Sequence, residues 1–344
     1  MTKVTVNKRF NRRTFLARSA AVTGGAVLTT SFAIRPSKAA LKKVNFITPW
    51  SYLIGFAPVL NAHSGGHFKR HGLEVTILGG KGSGMAVRQV LTDRVQFARA
   101  ASLAMVKAVG NEGAELVAIG TILQQSPFYV VSSKKDPINS AKDMVGKVIG
   151  VSARGSGSEN TLDMILASAG IKSDMVRREV AGNGVGGFGL IEQGRIAAYV
   201  PSLGTVIRLR AASEIVVAWN TDKFITMPGQ IYLTSKKHMK RDPESCVQFL
   251  RAIKDSTTEL KSGSPAKLRD RMAKDFDILG IKDLDFTLKA MLAEMELWTA
   301  DSSPNILQND PKRWEAMRAG MAGAGLTKLV DAKVLYTNEF YDKI

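Results

Sequence analysis

The chain has 344 residues, of which 45% are hydrophobic, so it is long enough for about two domains and can bury a sizeable core. It carries 48 Lys and Arg against 30 Asp and Glu, a formal net charge of +18, and a single cysteine, Cys246. An internal disulfide is therefore excluded, and no internal segment approaches the roughly 18 apolar residues of a membrane span.

The first 39 residues have the features of an export signal. Asn11–Leu16 resembles the twin-arginine motif, a weakly hydrophobic stretch covers Ala20–Ile34, and Ser37–Ala39 offers small residues to a signal peptidase. Two departures from the usual motif leave the general secretory route open, and a basic disordered tail is the remaining alternative. We expect cleavage after residue 39 and a soluble periplasmic protein, without the N-terminal cysteine of a lipoprotein.

Loss of this leader also lowers the net charge. It contains eight basic and no acidic residues, so 40 basic and 30 acidic residues remain, a net charge of +10. The remaining basic residues are scattered along an exported chain, so we expect no nucleic acid partner. The positive excess instead favours an anionic ligand or a membrane surface.

From Lys42 onward the pattern alternates between strands and helices. Strands are predicted at 44–48, 73–78, 95–98 and 116–123, and alternation of this kind predicts a parallel sheet covered by helices on both faces. Two β-rich runs, 127–135 and 229–237, both end in Ser-Lys-Lys. We interpret them as the strands that carry the chain into a second lobe and back.

This pattern predicts two lobes, the first made of 40–126 and 229–344 and the second of 127–228. A unit of strand, glycine loop, helix, basic turn and strand occurs in Glu74–Ala98 and again in Glu179–Tyr199, once in each lobe. After residue 236 the pattern is mostly helical. We interpret these helices as packing elements, and they are predicted at 246–260, 265–276, 284–297 and 311–322.

Ligands of open α/β sheets bind outside the carboxyl ends of the strands, which selects candidate residues in the first lobe. The glycine loop 79–84 fits neither a Walker loop nor the dinucleotide spacing, and a plain tight turn stays open. An aromatic wall after the first strand has lobe-edge packing as its alternative. The candidates are Trp50, Ser51, Tyr52, Gly80, Lys81, Arg99, Ser102 and Gln125.

The strongest anion site predicted in the second lobe is the helix start near residue 156. Ser156 and Glu159 have capping-box spacing, which alone explains their presence. Ser156, Gly157, Ser158 and the free amides of this helix end could also hold a carboxylate or sulfonate, with Arg154 near enough to pair. The other candidates in this lobe are Asn183, Tyr199 and Ser202.

The sequence predicts neither a metal site nor catalytic residues. His63, His67 and His71 are four residues apart, but Gly65–Gly66 breaks the helix that such a metal face requires, and no nearby carboxylate or cysteine completes a set. No nucleophile and base can be paired from the sequence. We therefore expect no cofactor and no enzymatic activity.

Four segments carry a resemblance to a known family. Gly66–Val75, Leu91–Ala98, Gly146–Ser152 and Gly194–Val200 resemble the solute-binding proteins of ABC importers for aliphatic sulfonates, taurine, nitrate and thiamine-pyrimidine precursors. The resemblance extends from Lys42 to about residue 235. It implies an α/β, type 2 periplasmic-binding-protein fold, with two doubly wound lobes joined by two crossover strands. It also implies a monomer that delivers a small molecule to a membrane permease with a cytoplasmic ATPase.

The resemblance also limits the ligand. In sulfonate-binding relatives a Gly-Ser run that opens the second-lobe helix contacts the anion, and Gly155–Ser158 is similar to it. Trp50 is similar to the aromatic residue of pyrimidine-binding relatives, but their acidic ligand contacts have no clear match. We therefore expect a small organic anion, a sulfonate or carboxylate, with or without an aromatic ring. A thiamine-pyrimidine precursor or related heterocycle stays open, and so does a periplasmic oxidoreductase exported by the twin-arginine route.

Overall fold

The structure is a computed structural model that describes residues 40–212 and 216–344. The predicted signal peptide, residues 1–39, lies outside the described residues. The strands are β1 Lys42–Ile47, β2 Leu73–Leu78, β3 Phe97–Ala101, β4 Leu116–Leu123, β5 Tyr129–Ser133, β6 Val148–Val151, β7 Arg177–Val180, β8 Ala198–Tyr199, β9 Val216–Asn220 and β10 Gln230–Ser235.

The α-helices are α1 Ala57–Ser64, α2 His67–Arg70, α3 Ser83–Leu91, α4 Ser102–Glu112, α5 Gly157–Ser168, α6 Gly186–Glu192, α7 Leu203–Ala212, α8 Lys236–Arg241, α9 Pro243–Ser262, α10 Pro265–Asp275, α11 Leu284–Glu296 and α12 Pro311–Gly323. Short 3-10 helices cover Ile54–Phe56, Lys142–Met144, Ser173–Met175, Thr221–Lys223, Ala332–Val334 and Tyr341–Lys343. None of the described helices is long and apolar enough to cross a membrane.

The strands form two five-stranded sheets with the same pattern of directions. The orders are β2-β1-β3-β10-β4 and β7-β6-β8-β5-β9. The first three strands of each sheet are parallel, but β10 is antiparallel to β3 and β4, and β5 is antiparallel to β8 and β9. The strands predicted from the alternation, β1 to β4, therefore all run in one direction, as predicted, and the crossover strand β10 runs against them between β3 and β4. A strand that arrives from the other sheet enters where the parallel strands end, as the pairing of Gln230 with Ala101 shows.

The two runs that end in Ser-Lys-Lys are confirmed as strands β5 and β10, which lie in different sheets. The doubled unit is also confirmed, as β2-α3-β3 and β7-α6-β8. In each sheet the unit begins on the edge strand and ends on the central strand. The boundaries of the two lobes, as drawn from the sequence, stay a prediction.

The core of the first sheet is organised around aromatic side chains. The ring of Phe249 on α9 stacks on Phe97 with a centroid distance of 4.6 Å, and on Phe68 and Phe46 at 5.5 and 5.6 Å. Every residue of β4 and β10 is buried. Strand β10 lies inside the sheet, and the edge strand β4 is covered by segments that include Leu307 and Tyr336. The C-terminal helices therefore contribute packing, as predicted, but α11 also contributes a side chain to the site described below.

Backbone hydrogen bonds hold the glycine loop after β2 in place. The amide of Gly80 donates to the carbonyl of Trp50 at 3.0 Å, and the amide of Gly82 donates to that of Pro49 at 2.6 Å. A Cβ atom on Gly80 would overlap the carbonyl oxygen of Thr48. Glycine is thus required at position 80 by the close approach of two backbone segments.

We expect Gly80→Ala to lower the free energy of unfolding by about 1–3 kcal/mol, because the new methyl group forces these segments apart. Gly79→Ala is the matched control, since its Cβ would lie 3.5 Å from the nearest atom, the Cα of Ser51. Denaturant-induced unfolding of both variants measures the difference. Equal effects of the two substitutions would contradict this account of the loop.

Candidate ligand-binding site

A cavity of about 90 Å³ lies between the two sheets. Its wall includes residues that follow β1 and β2 in one sheet and β6, β7 and β8 in the other, and thus the carboxyl ends of parallel strands from both sheets. The volume is several times the roughly 10–15 Å³ that one water molecule requires. The cavity therefore has the location and the scale of a site for a small molecule.

Two glycine loops meet beside this cavity. The amide of Gly84, at the start of α3, donates to the carbonyl of Gly155, which precedes α5, at 3.2 Å. A Cβ atom on Gly157 would lie 2.8 Å from the ring of Phe128 and 2.9 Å from the Cβ of Ala101. The two sheets are thus in direct contact around the cavity, through backbone and small side chains.

Seven of the residues predicted from the sequence line the cavity together. They come from both sheets, and they are Trp50, Arg99, Ser156, Gly157, Ser158, Asn183 and Ser202. Asn183 and Ser202 also hold each other: the amide of Ser202 donates to Asn183 Oδ1 at 2.8 Å, and Asn183 Nδ2 donates to Ser202 Oγ at 3.0 Å. The polar wall of the second sheet is thereby fixed in place.

Helix α5 points its N-terminus at the cavity. Ser156 has extended backbone and its Oγ accepts from the amide of Glu159 at 3.3 Å, the N-cap bond that the sequence predicts. Ser158 Oγ accepts from the amide of Ser152 at 2.9 Å. The first amides of a helix have no partners within the helix, and those of Gly157 and Ser158 belong to residues that line the cavity. This end can therefore bind an anion.

Arg99 is the fully buried cation of the cavity, at 1% exposed, whereas Arg208, which also lines the cavity, is half-buried. Its Nε donates to Gln230 Oε1 at 2.5 Å and its Nη1 donates to the carbonyl of Gly55 at 2.7 Å, while the guanidinium lies 4.8 Å from the centroid of Phe56. Within the described residues no hydrogen bond involves Nη2. Burial lowers the pKa of Arg99, but a guanidinium remains protonated in proteins. The side chain is thus fixed on one side and can donate to a ligand on the other.

Glu294 on α11 is the acidic residue of the cavity, and the sequence analysis missed it. The residue is 8% exposed, its Oε2 is fully buried, and neither carboxyl oxygen takes part in a hydrogen bond among the described residues. Burial raises the pKa of Glu294 to about 7, and the positive charge of Arg99 opposes that rise. A signal was present in the sequence: Glu294 follows the apolar Ala290 and Met291 at helical spacing and therefore shares their buried face.

The rest of the wall is largely apolar. Trp50, predicted as an aromatic contact, is joined by Phe56, Phe128 and Phe286, which come from three different segments. Arg208 on α7 lies over the ring of Phe286, 3.9 Å from its centroid. The cavity can accordingly hold the apolar part of an organic molecule while Arg99 and the start of α5 hold its charged part.

Eight predicted residues do not line the cavity: Ser51, Tyr52, Gly80, Lys81, Ser102, Gln125, Arg154 and Tyr199. Most of the polar ones are engaged with backbone. The hydroxyl of Tyr52 donates to the carbonyl of Ile77 at 2.9 Å, and that of Tyr199 to Gly184 at 3.3 Å. Ser102 Oγ donates to the carbonyl of Pro228, and Gln125 Nε2 to that of Thr299 at 2.8 Å. Ser51 and Lys81 are exposed.

Arg154 is the largest departure from the predicted site. Its Nη1 donates to Glu159 Oε1 at 2.9 Å and its Nη2 to the carbonyl of Arg178 at 3.0 Å. The side chain is 61% exposed. Arg154 thus pairs with Glu159 outside the cavity, whereas Arg99 lies in the cavity wall.

The three histidines in 63–71 have separate partners. His63 Nδ1 bonds with the carbonyl of Val75 at 3.0 Å, His67 Nε2 with Glu259 at 2.7 Å, and His71 Nε2 with Asp255 at 2.7 Å. In the described part of the chain, no group of three or more His, Cys, Asp or Glu side chains is arranged to hold a metal ion.

A family model described as NMT1/THI5 like matches residues 54–263, more than half of the chain. No curated protein sequence matches the chain. Among solved structures, a protein from Bordetella bronchiseptica RB50 is 20% identical, with a TM-score of 0.72 over 88% of this chain and 96% of that chain.

Two further solved structures are similar over nearly the same range. The alkanesulfonate-binding protein SsuA from Xanthomonas axonopodis pv. citri, bound to MOPS, is 13% identical, with a TM-score of 0.65 over 87% of this chain and 100% of its own. The periplasmic aliphatic sulphonate binding protein SsuA from Escherichia coli is 14% identical, with a TM-score of 0.66 over 88% and 100%. These similarities confirm the predicted α/β, periplasmic-binding-protein fold.

The raised pKa of Glu294 predicts that the free energy of unfolding depends on pH. A glutamate in the unfolded chain titrates near 4.5, so a folded-state pKa of about 7 means that the native protein holds this proton to higher pH. The stability from this group is fully present below pH 4.5 and is lost as the pH rises through about 7. Relative to Glu294→Gln, wild-type protein should lose up to about 3 kcal/mol between pH 5 and pH 8.

Denaturant-induced unfolding at the two pH values measures the difference in free energy of unfolding between wild type and Glu294→Gln. Glu296→Gln, on the exposed side of the same helix, is the matched control and should follow the wild type. A gap between wild type and Glu294→Gln that is the same at pH 5 and pH 8 would show that Glu294 does not titrate in this range.

Proposed function

Because the chain belongs to the NMT1/THI5-like family, we propose that it is the substrate-binding component of an ABC importer and captures a small organic anion, a sulfonate or a carboxylate. One observation carries this proposal: Arg99 and the N-terminus of α5 line the same cavity from opposite sheets. A buried guanidinium and free helix amides are both donors suited to an anionic oxygen. The similar sulfonate-binding proteins support the same ligand class.

Residues of both sheets line the cavity, which suggests how the protein captures its ligand. A ligand held by both sides favours the arrangement in which the sides are together, because only there does it make all of its contacts. In this proposal 40–126 and 229–344 form one lobe and 127–228 the other. Exported behind residues 1–39, the protein acts in the periplasm and presents the loaded, closed form to a membrane permease that a cytoplasmic ATPase drives.

Glu294 favours a second candidate, a thiamine-pyrimidine precursor or related heterocycle. A carboxyl group without a hydrogen-bond partner can accept from the N–H groups of such a ring, and Trp50 in the same cavity can pack against its face. This candidate explains Glu294 directly, but it does not use Arg99. We therefore place it second.

A thermal-shift screen separates the two candidates, since a true ligand raises the melting temperature by mass action. We expect aliphatic and aromatic sulfonates or carboxylates to raise it at millimolar concentration. The matched comparison is a set of neutral aminopyrimidines of similar size. A rise with the pyrimidines and none with the anions would contradict the first candidate and support the second.

Substitution of the two arginines tests which one holds the anion. We expect Arg99→Met to weaken binding of the best anion about tenfold to a hundredfold, because a charge-assisted hydrogen bond is lost. Arg154→Ala should leave the affinity within about twofold. Isothermal titration calorimetry measures both.

Arg99→Gln, which removes the charge but keeps a hydrogen-bond donor, replaces the Met variant if that variant does not fold. An unchanged affinity in folded Arg99→Met or Arg99→Gln protein, or a tenfold loss in Arg154→Ala, would overturn this assignment.

A further inference from the structure

We propose that Glu294 takes up a proton when an anionic ligand binds, so that this side chain couples ligand affinity to pH. The inference rests on the proposed anion-binding function and deepens it. Glu294 lies on α11, which the sequence predicts only as a packing helix. Its protonation state would change the net charge of the site.

The geometry begins with Gly55, which lies between the two charged side chains. Its carbonyl accepts from Arg99 Nη1 at 2.7 Å, and a Cβ atom on the same residue would lie 2.5 Å from Glu294 Oε1. Glycine at this position thus leaves room for the carboxyl group beside the backbone that fixes the guanidinium. Both side chains line the one cavity, and both are more than nine-tenths buried.

A bound anion then changes the electrostatic surroundings of Glu294. With Arg99 protonated and Glu294 ionised, the pair is neutral, and Arg208 adds a positive charge to the same wall. An anion bound to Arg99 would still share the cavity with the ionised carboxyl group, and the two negative charges would repel each other. Arg99 cannot respond because a guanidinium does not lose its proton in proteins. Protonation of Glu294 removes the repulsion and leaves a neutral carboxyl group.

The elements packed against α11 bring a second cation to the cavity wall. The turn 54–56 has no ionisable side chain. Helix α7 brings Arg208, which lines the cavity, lies over Phe286 and donates to the carbonyl of Leu279 at 3.3 Å. Helix α10 brings Arg271, which pairs with Glu259 at 2.6 Å, and Arg269, which pairs with Asp270.

The neighbouring strand β10 adds Tyr232, which pairs with Arg99 in the sheet. Burial raises the pKa of the Tyr232 hydroxyl, so it stays neutral near pH 7. Burial also raises the pKa of Glu294 to about 7, so its protonation needs little free energy at neutral pH. A bound anion raises that pKa further. Glu294 is therefore the group in this set that can change its charge when the ligand arrives.

The protonation state of Glu294 determines how the affinity for an anion changes with pH. Well below pH 7 Glu294 is already protonated, and the affinity for an anion is at its highest and constant. Above about 7 the free protein has lost the proton that the complex retains, so the affinity should fall by up to about tenfold per pH unit. The fall ends where the carboxyl group also ionises in the complex.

The test uses calorimetric titrations of the mature protein with ethanesulfonate and benzenesulfonate from pH 5.5 to pH 9. Both probes stay ionised over this range, so any pH dependence belongs to the protein. Tris and triethanolamine, which are cationic buffers with different ionisation enthalpies, report proton uptake at pH 8. We expect an uptake of up to about one proton per ligand.

Glu294→Gln should bind the same sulfonates with an affinity that does not depend on pH between 6 and 8. It should take up no proton on binding, and at pH 8 it should bind them more tightly than wild type does. Glu296→Gln is the matched control and should keep the wild-type profile. A loss of affinity in Glu294→Gln at pH 8 would mean that the ionised carboxyl group does not oppose the bound anion, which overturns the inference.

Anion binding by the protein and proton uptake by Glu294 can be tested separately. Sulfonate binding that is independent of pH in the wild type overturns the role of Glu294 and leaves the proposed function intact. No sulfonate binding at any pH, in wild type or in Glu294→Gln, counts against both.

Discussion

The burial of one positive charge, that of Arg99, organises the cavity and the elements around it. A guanidinium removed from water must be hydrogen-bonded on as many sides as possible. Gln230 supplies one acceptor from β10, the turn 54–56 supplies another from the carbonyl of Gly55, and Phe56 covers the flat face. These groups belong to segments that meet only because β10 returns from the second sheet and lies next to β3. The crossover of the chain and the charge of the site are therefore parts of one arrangement.

Local patterns in the sequence were sufficient for most of the fold. The bounds of β2 and β4 agree with the apolar runs that predicted them, and the N-cap of α5 follows from the spacing of Ser156 and Glu159. The direction of β10 could not be read in this way, because it depends on which sheet the chain has just left. Some residues chosen at strand ends do line one cavity, among them Trp50 and Ser202, whereas Arg99 lies within β3 rather than after it.

Two side chains are placed by partners that the local pattern does not identify. Arg154 looked free to meet a ligand, but the orientation of Glu159 and the carbonyl of Arg178 decide its position. Glu294 looked like one charge among many on a packing helix. Its role depends on Gly55, nearly 240 residues earlier, whose lack of a side chain leaves space for the carboxyl group. Such pairings are determined by tertiary structure, and no local periodicity reports them.

The position of α11 has a consequence for the evolution of ligand choice. The family match ends at residue 263, whereas α11 covers Leu284–Glu296, so the acidic wall of the cavity lies outside the segment that defines membership. Two members can therefore share every feature of the matched segment and still diverge in the charge that meets their ligands. A substitution at position 294 would change the charge of the cavity wall and leave the matched segment unaltered.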